Sequence, residues 1–257
     1  MWYSLFAYIK FLTNSTKQHG VHSPFVFDVV TKCFYDKKQY FDYKELINYR
    51  NALLRSDLAI KITDLGSGSK NTKNNVRKIS SIAKNSGSTL KRTKLLYRLV
   101  NYFHIKNILE LGTSLGIATH AMNLANPQAT ITTVEGCPNI SKFTKTNFEV
   151  IGLKNMMLIN EDFDTLVPKL TNNAYDLVFF DGNHQKQATL KYFNTLLSTV
   201  HNDSIFIFDD IYWSKDMTEA WQDIKQHPKV TITIDTFFWG FVFFRKEQAK
   251  EHFTIRM

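Results

Sequence analysis

The stretch Ile108-Leu-Glu-Leu-Gly-Thr-Ser-Leu-Gly-Ile117 decides the fold. Its first half is a short apolar run typical of a buried strand, and a helical periodicity begins after the second glycine. Gly112 allows the backbone to bend toward a ligand, and Gly116 allows the following helix to pack closely on the strand. Because the first turn of that helix has free N–H groups, the stretch predicts a loop that binds a nucleotide-type cofactor.

Strands and helices alternate from residue 95 to the end of the chain. This alternation predicts an α/β protein with a Rossmann-like, doubly wound sheet that is mostly parallel and has an antiparallel C-terminal strand. An unbroken apolar run such as Tyr175-Asp-Leu-Val-Phe-Phe-Asp181 is typical of a strand buried on both faces. The predicted strands are residues 107–111, 130–135, 156–160, 175–181 and 204–209, followed by an antiparallel pair at 230–237 and 241–245, with a break at residues 239–240.

Residues 1–94 lack this alternation and are predicted to form a mainly helical, basic cap or lid on a cofactor-binding domain at 95–257. Charge is unevenly distributed, since residues 1–106 contain 19 Lys and Arg against 6 Asp and Glu, whereas residues 107–257 contain 13 against 17. Two explanations stay open. The basic face is a solvated surface, or it attracts an acidic partner such as an anionic substrate, RNA or an anionic membrane.

Three further N-terminal segments carry weaker signals. Residues 74–84, which include Arg77 and Lys78, have the periodicity of an amphipathic basic helix. This helix is either a solvated surface helix or, together with the loop at residues 64–69, a lid that attracts an anionic substrate. The loop Asp64-Leu-Gly-Ser-Gly-Ser69 imitates a cofactor loop, but no strand with an acidic end follows it about 20 residues later. The segment His19-Gly-Val-His-Ser-Pro-Phe25 is interpreted as a packed entry loop rather than a metal site.

The composition favours a cytoplasmic protein with a sizeable core. Of its 257 residues 44% are hydrophobic, and the two cysteines have no pairing or metal-binding spacing. No apolar run reaches the roughly 18 residues that a spanning helix needs. The aromatic stretch from Trp2 to Phe11 predicts either a contact with a membrane surface or a homodimer contact, and the sequence does not choose between them.

Acidic residues stand at the ends of the predicted strands. Glu135 ends the second strand, where a carboxylate can accept hydrogen bonds from ribose hydroxyls. Asp181 ends the fourth strand, and Asp209 and Asp210 end the fifth. Three carboxylates that converge repel one another unless a cation or a proton lies between them, and oxygen ligands suit Mg²⁺, Mn²⁺ or Ca²⁺.

The stretch from Ile108 to Thr119 resembles the first motif of class I S-adenosylmethionine-dependent methyltransferases. It is most similar to the branch that contains catechol O-methyltransferase and the metal-dependent sugar and macrolide O-methyltransferases. The resemblance covers about residues 90–245. It implies S-adenosylmethionine as cofactor, with Glu135 on the ribose and Asp162 beside the adenine. The other implied cofactor-binding residues are Glu110, Gly112, Thr113, Ser114, Gly116 and Asp181, of which Glu110, Gly112 and Ser114 would line the methionine end.

The same resemblance implies a divalent metal, Mg²⁺ or another cation, held by Asp181, Asp209 and Asp210 and chelating the substrate hydroxyls. His184 would act as general base, because its pKa is normally near neutrality. Two alternatives stay open. His184 is a loop residue with local hydrogen bonds only, or no metal is used and Asp181 contacts the cofactor amine or the substrate.

The sequence therefore predicts an enzyme that methylates a hydroxyl on a small molecule of acidic or lipid-like character. An RNA methyltransferase is the alternative suggested by the basic N-terminal half, although no RNA-binding module is recognised. A relative that only binds the cofactor or a partner is the second alternative. No Asn/Asp-Pro-Pro-Tyr follows the fourth strand, which disfavours methylation of amino groups.

Overall fold

The computed structural model describes residues 2–63 and 75–257. The described residues form ten α-helices: α1 Trp2–Asn14, α2 Pro24–Asp28, α3 Tyr43–Arg55, α4 Ile79–Asn85, α5 Leu90–Tyr102, α6 Ile117–Ala125, α7 Pro138–Val150, α8 Phe163–Leu166, α9 Lys186–Leu196 and α10 Lys215–Gln226. They also form ten strands: β1 Ala59–Lys61, β2 Val76–Lys78, β3 Asn107–Leu111, β4 Thr130–Glu135, β5 Met156–Asn160, β6 Leu177–Phe180, β7 Ile205–Asp209, β8 Ile232–Asp235, β9 Trp239–Phe243 and β10 Glu251–Thr254. None of these helices is long and apolar enough to cross a membrane.

The chain divides into two compact units. The continuous unit is Asp36–Phe163, and the split unit combines Met1–Tyr35 with Asp164–Met257. We predicted a cap at residues 1–94 and a cofactor-binding domain at 95–257. The two units do not test this assignment, because it concerns what each part does, and it stays a prediction.

The continuous unit contains the glycine loop. Strands β3, β4 and β5 lie side by side in that order and run parallel, with α6 and α7 as the crossovers. Strand β3 is buried along most of its length, as its apolar run predicts. Helix α7 begins with Pro138 at a position that needs no N–H donor, and Gly152 follows its end with a φ of +69°.

The helices of the continuous unit pack around two apolar clusters. One joins α3 and α4 to the start of α6 and to α7, and the hydroxyl of Tyr49 donates to the carbonyl of Leu115 at 2.8 Å. The other joins α3, α5 and α6 through Tyr43, Leu46 and Tyr97. The base of the loop between β3 and α6 is therefore held by buried apolar packing as well as by the strands.

The split unit contains a mixed sheet in the order β10, β8, β9, β7 and β6. Strands β6 and β7 are parallel and connected by α9, whereas β9 runs antiparallel to both β7 and β8. The predicted antiparallel C-terminal strand is thus confirmed, and the predicted alternation of strands and helices holds in both units.

An aromatic core fills the split unit between the sheet and its helices. Gly240 of β9 lies directly against Trp221 of α10, because a Cβ at this glycine would be 2.7 Å from ring carbons of the tryptophan. The other fully buried aromatic side chains of the unit are Phe179, Phe193, Phe206, Phe208, Trp239, Phe241 and Phe243.

Three details differ from the sequence predictions. Val76–Lys78 is a strand that pairs with Ala59–Lys61, so the helix predicted over residues 74–84 begins only at Ile79. The predicted break at residues 239–240 lies inside β9, and the turn precedes it. Strand β10 was missed, because its side chains are largely exposed and carry no apolar pattern. The loop at residues 64–69 lies outside the described residues.

We predict that Gly240→Ala destabilises the protein by about 1–3 kcal/mol, because the added methyl group forces the Trp221 ring out of its position. Thermal and urea unfolding followed by circular dichroism measure the loss. Trp221→Phe removes the ring atoms that the methyl group meets, so the double variant should lose less than the sum of the two single variants. If the losses of unfolding free energy in the two single variants simply add in the double variant, the close approach of Gly240 to Trp221 would be contradicted.

Candidate active site

The glycine loop joins β3 to α6 and contains three residues with left-handed backbone. Gly112, Ser114 and Gly116 have φ values of +111°, +48° and +72°. A Cβ at Gly116 would overlap the Phe148 ring of α7, so this position excludes a side chain by space as well as by conformation. The positive φ of Gly112 fits the predicted bend. The close approach at Gly116 is to α7, so its predicted packing on the strand and the predicted approach of Gly112 to a ligand stay predictions.

Glu135 at the end of β4 binds the glycine loop directly. Its Oε2 accepts a hydrogen bond from the Ser114 N–H at 2.9 Å, and its Oε1 accepts one from the Cys137 N–H at 2.8 Å. Burial raises the pKa of the Glu135 carboxyl, and the two amide donors oppose this shift. Each oxygen retains a further lone pair, so the carboxylate can accept two more hydrogen bonds from a ligand.

Glu110 lies in the interior rather than at a surface. The hydroxyls of Thr119 and Thr133 both donate to its Oε2, and the Thr133 hydroxyl is also 2.6 Å from that of Thr113 in the glycine loop. Its Oε1 is buried, and the described residues give it no hydrogen-bond partner. The residue ties β3, β4, α6 and the loop together, while its predicted contact with the methionine end of a cofactor stays a prediction.

The end of β5 is joined to the end of β4 by a residue that the sequence interpretation missed. The side-chain amide of Asn160 donates to the carbonyl of Glu135 at 2.6 Å and to that of Gly136 at 3.2 Å. Asp162, the predicted adenine neighbour, is half-buried two residues later, and its N–H donates to the Glu161 carboxylate at 3.1 Å. Asn160 therefore ties the end of β5 to the end of β4, next to the residues predicted to bind the ribose and the adenine.

A cluster of metal-ligating side chains lies in the split unit, at the carboxyl ends of β6 and β7. One ligand atom from each of Asp181, His184 and Asp209 lies within 4.8 Å of the other two. Asp209 is buried, and the other two are half-buried. We call these three residues the acid–histidine cluster.

The cluster differs from the predicted metal set, which was Asp181, Asp209 and Asp210. Asp210 is not among the three, and its φ of +52° shows that the chain turns sharply after β7. The predicted role of Asp210 as a metal ligand stays a prediction. His184, predicted as a base, stands in the third position.

Asn183 is a second residue that the sequence interpretation missed. It lies in the loop between two members of the cluster and has a φ of +50°. Its Nδ2 donates to the Tyr192 hydroxyl at 3.2 Å, while its Oδ1 is buried and has no hydrogen-bond partner in the described part of the chain. A left-handed residue with an unsatisfied buried oxygen is a typical feature of a ligand-binding loop.

The donor set of the cluster fits a divalent cation. Two carboxylates supply negative charge, and the imidazole adds a nitrogen ligand. Mn²⁺ accepts carboxylate ligands, and nitrogen ligands extend the choice to Zn²⁺ or Fe²⁺, whereas Mg²⁺ and Ca²⁺ favour oxygen alone. The same geometry also suits a protonated imidazole held between two carboxylates.

The match to a protein family covers the loop and the cluster. Residues 109–211 match the sequence model of a family described as a methyltransferase domain. The resemblance drawn from the stretch Ile108 to Thr119 is confirmed by this match. No curated protein matches the sequence.

Several solved structures share the fold. The S-adenosylhomocysteine-bound methyltransferase PaMTH1 of Podospora anserina has a TM-score of 0.62 and 14% identity, over 88% of this chain and 97% of that chain. The O-methyltransferase TomG of Streptomyces achromogenes, solved with S-adenosylmethionine, has a TM-score of 0.57 and 14% identity, over 81% and 91%. An O-methyltransferase of Bacillus cereus in complex with S-adenosylhomocysteine has a TM-score of 0.54 and 16% identity, over 81% and 93%. The chain thus shares the Rossmann-like fold of these methyltransferases.

We predict that Glu110 makes the stability of the domain depend on pH. Burial raises the pKa of its carboxyl from 4.5 to about 7, against the effect of the two threonine hydroxyls. The folded state therefore holds this proton more tightly than the unfolded chain does. The stabilisation is complete below pH 4.5 and is lost as the pH rises toward 7.

Glu110→Gln removes this titration while retaining size and an acceptor. Between pH 5 and pH 8 the wild type should lose about 2 kcal/mol of unfolding free energy relative to the variant. Urea titrations at both pH values measure the difference. Glu149→Gln, on the exposed surface of α7, is the control and should follow the wild type. A parallel response of all three proteins would show that Glu110 does not titrate in this range.

Proposed function

We propose that this protein transfers the methyl group of S-adenosylmethionine to a hydroxyl oxygen of a small anionic or lipid-like molecule. The observation that carries the proposal is Glu135, whose two carboxylate oxygens bind the amides of Ser114 and Cys137 inside the segment that matches the methyltransferase family. This arrangement prepares an acceptor pair for the two ribose hydroxyls at the carboxyl end of a parallel strand, where such folds bind nucleotides.

Several residues would hold the cofactor. Glu135 would accept the ribose hydroxyls, and Asp162 would lie beside the adenine. The backbone of Gly112 and Thr113 would contact the methionine part, and the buried Oγ of Ser114, which has no partner within the described residues, is free to bind a ligand. When bound, the cofactor supplies an electrophilic methyl group on a sulfonium sulfur.

The acid–histidine cluster would bind and activate the substrate hydroxyl. The reaction forms one bond from the hydroxyl oxygen to the methyl carbon and breaks the bond from that carbon to sulfur, which leaves S-adenosylhomocysteine and one proton. His184 accepts that proton, and the carboxylates of Asp181 and Asp209 stabilise the imidazolium that results. Asn183 would position the substrate through its unsatisfied Oδ1.

A divalent cation gives a second arrangement of the same three residues. Asp181, His184 and Asp209 would hold the ion, whose charge would lower the pKa of a bound hydroxyl. In that case His184 is a ligand instead of a base. The two arrangements differ in their dependence on added metal, so a binding measurement separates them.

The RNA alternative is not favoured, because the solved structures that share the fold are described as methyltransferases and O-methyltransferases without reference to RNA. A purely binding role remains the competing proposal. A binding protein would use the same cofactor-binding residues, but it would give no role to the acid–histidine cluster or to the unsatisfied Oδ1 of Asn183.

We predict that the wild type binds S-adenosylhomocysteine and that Glu135→Ala weakens this binding by about tenfold or more, because hydrogen bonds to a carboxylate contribute about 1.5–3 kcal/mol. Isothermal calorimetry measures both affinities. Glu149→Ala, in the same unit and exposed, is the matched control. Absence of binding by the wild type would refute the cofactor assignment.

We predict that Mn²⁺ binds the wild type and that Asp181→Asn and Asp209→Asn each weaken this binding by about tenfold or more. Asp210→Asn should bind as the wild type does if the cluster, rather than the predicted set, holds the ion. Electron paramagnetic resonance of free Mn²⁺ reports the bound fraction. No binding by the wild type would leave His184 as the base and exclude the metal arrangement.

A further inference from the structure

Helix α1 presents an apolar face that nothing in the described part of the split unit covers. Leu5, Phe6 and Ile9 form the centre of this face, and their exposed fractions are 51%, 66% and 50%. An α-helix turns by 100° per residue, which places Tyr8 at one edge of this face and Tyr3 and Lys10 at the opposite edge. We call these residues the outer face of α1.

The helix is fixed to the body of the split unit. Phe11, on the opposite side of α1, is buried, and its ring packs 5.5 Å from that of Phe237. The guanidinium of Arg256 donates to the carbonyl of Leu12 at 2.6 Å and to the hydroxyl of Ser15 at 3.2 Å. Because the helix is held at its inner side and at its end, the outer face is a formed surface and not a loose tail.

The pattern of residues on this face matches that of helices that lie in a membrane interface. Such helices place aliphatic and phenylalanine side chains toward the acyl chains, with tyrosines at the headgroup level. A lysine at the border can extend its ammonium group toward the headgroups while its methylene chain stays in apolar surroundings. On α1, Phe6 takes the apolar position, Tyr3 the headgroup-level position and Lys10 the border position.

Charge favours an anionic lipid surface over a second copy of the chain. The first acidic residue is Asp28, whereas Lys10 and Lys17 precede it and are exposed. A two-fold contact through α1 would bring two lysine-bearing segments together without an acid from either. Anionic headgroups supply the missing negative charge.

Aromatic contacts connect α1 to the loop that follows β7. Tyr8 and Phe11 pack on Phe237, whose ring stacks on Tyr212 at 5.1 Å with an interplanar angle of 12°. Tyr212 lies three residues after Asp209 of the acid–histidine cluster. Its hydroxyl donates to the buried carboxylate of Asp235 at 2.7 Å, which fixes the stack.

We propose that α1 is a membrane-interface helix that holds the protein on anionic bilayers. We propose further that the methyl acceptor is a hydroxyl-bearing amphiphile in that surface. The second statement rests on the proposed function, because it needs the acid–histidine cluster to be catalytic. The first statement is independent of it.

Co-flotation of the full chain with vesicles tests the first statement. The probes are vesicles of phosphatidylcholine alone and of phosphatidylcholine with 30% phosphatidylglycerol, a composition of about one anionic lipid in three. We expect binding to the anionic vesicles, decreasing with added salt. The double variant Leu5→Ser/Phe6→Ser should bind about tenfold or more weakly. Lys10→Gln and Lys17→Gln should each weaken binding about fivefold.

Phe41→Ser is the matched control, since Phe41 is an exposed phenylalanine of the continuous unit, 86% accessible. It should bind vesicles as the wild type does. Circular dichroism and calorimetric binding of S-adenosylhomocysteine verify that each variant is folded. Neither measurement involves lipid. A wild type that does not bind S-adenosylhomocysteine would therefore refute the proposed function without deciding whether α1 binds membranes.

Two outcomes would overturn the proposal. In the first, the wild type stays in the aqueous fraction with both kinds of vesicle. In the second, sedimentation velocity shows that the wild type is a dimer and that Leu5→Ser/Phe6→Ser is a monomer, while vesicles bind neither. The second outcome would assign the outer face of α1 to another copy of the chain.

Discussion

The buried carboxyl of Glu110 is the constraint on which the continuous unit depends. It lies on β3, and it accepts hydrogen bonds from a threonine of β4 and a threonine of α6. A group of this kind is costly to bury unless donors surround it, so its partners must keep their positions. The threonine of β4 extends the network to Thr113, and the glycine loop is thereby held at the end of the sheet. The loop geometry that suits a cofactor is a consequence of this internal network.

The sequence predicted the alternating architecture well because buried parallel strands have a strong local signal. Strands β3 to β7 were each predicted within about two residues, and both loop glycines adopt the positive φ that their residue type allows. Periodicity failed where side chains are mostly exposed. Val76–Lys78 has a pattern that a helix shares, and only its pairing with Ala59–Lys61 makes it a strand. Strand β10 has no apolar signal and is stabilised by its ladder with β8.

The candidate site was predictable in its residue types but only in part in its geometry. Glu135 and the acids after β6 and β7 were identified from their places at strand ends. The left-handed backbone of Asp210 was not predictable, because nothing in the sequence marks an aspartate that adopts a positive φ. Asn160 and Asn183 were missed, since an asparagine in a loop has no sequence signature until its hydrogen bonds are known. The role of Glu110 as an interior anchor likewise depends on contacts with Thr119 and Thr133.

The attachment of α1 has a consequence for how the chain folds during synthesis. Leu12 of the helix accepts a hydrogen bond from Arg256, and the Phe11 ring packs on Phe237. Thr16, just after the helix, pairs with Thr254 and Ile255. The ribosome adds all of these partners more than 200 residues after the helix itself. The inner and the outer side of α1 are therefore both exposed to the surroundings until these later segments are made. Contacts between residues that lie so far apart in the sequence form late and slowly. Until they form, the nascent protein presents more apolar surface on α1 than the folded protein does, and it can meet chaperones or a bilayer through that helix first.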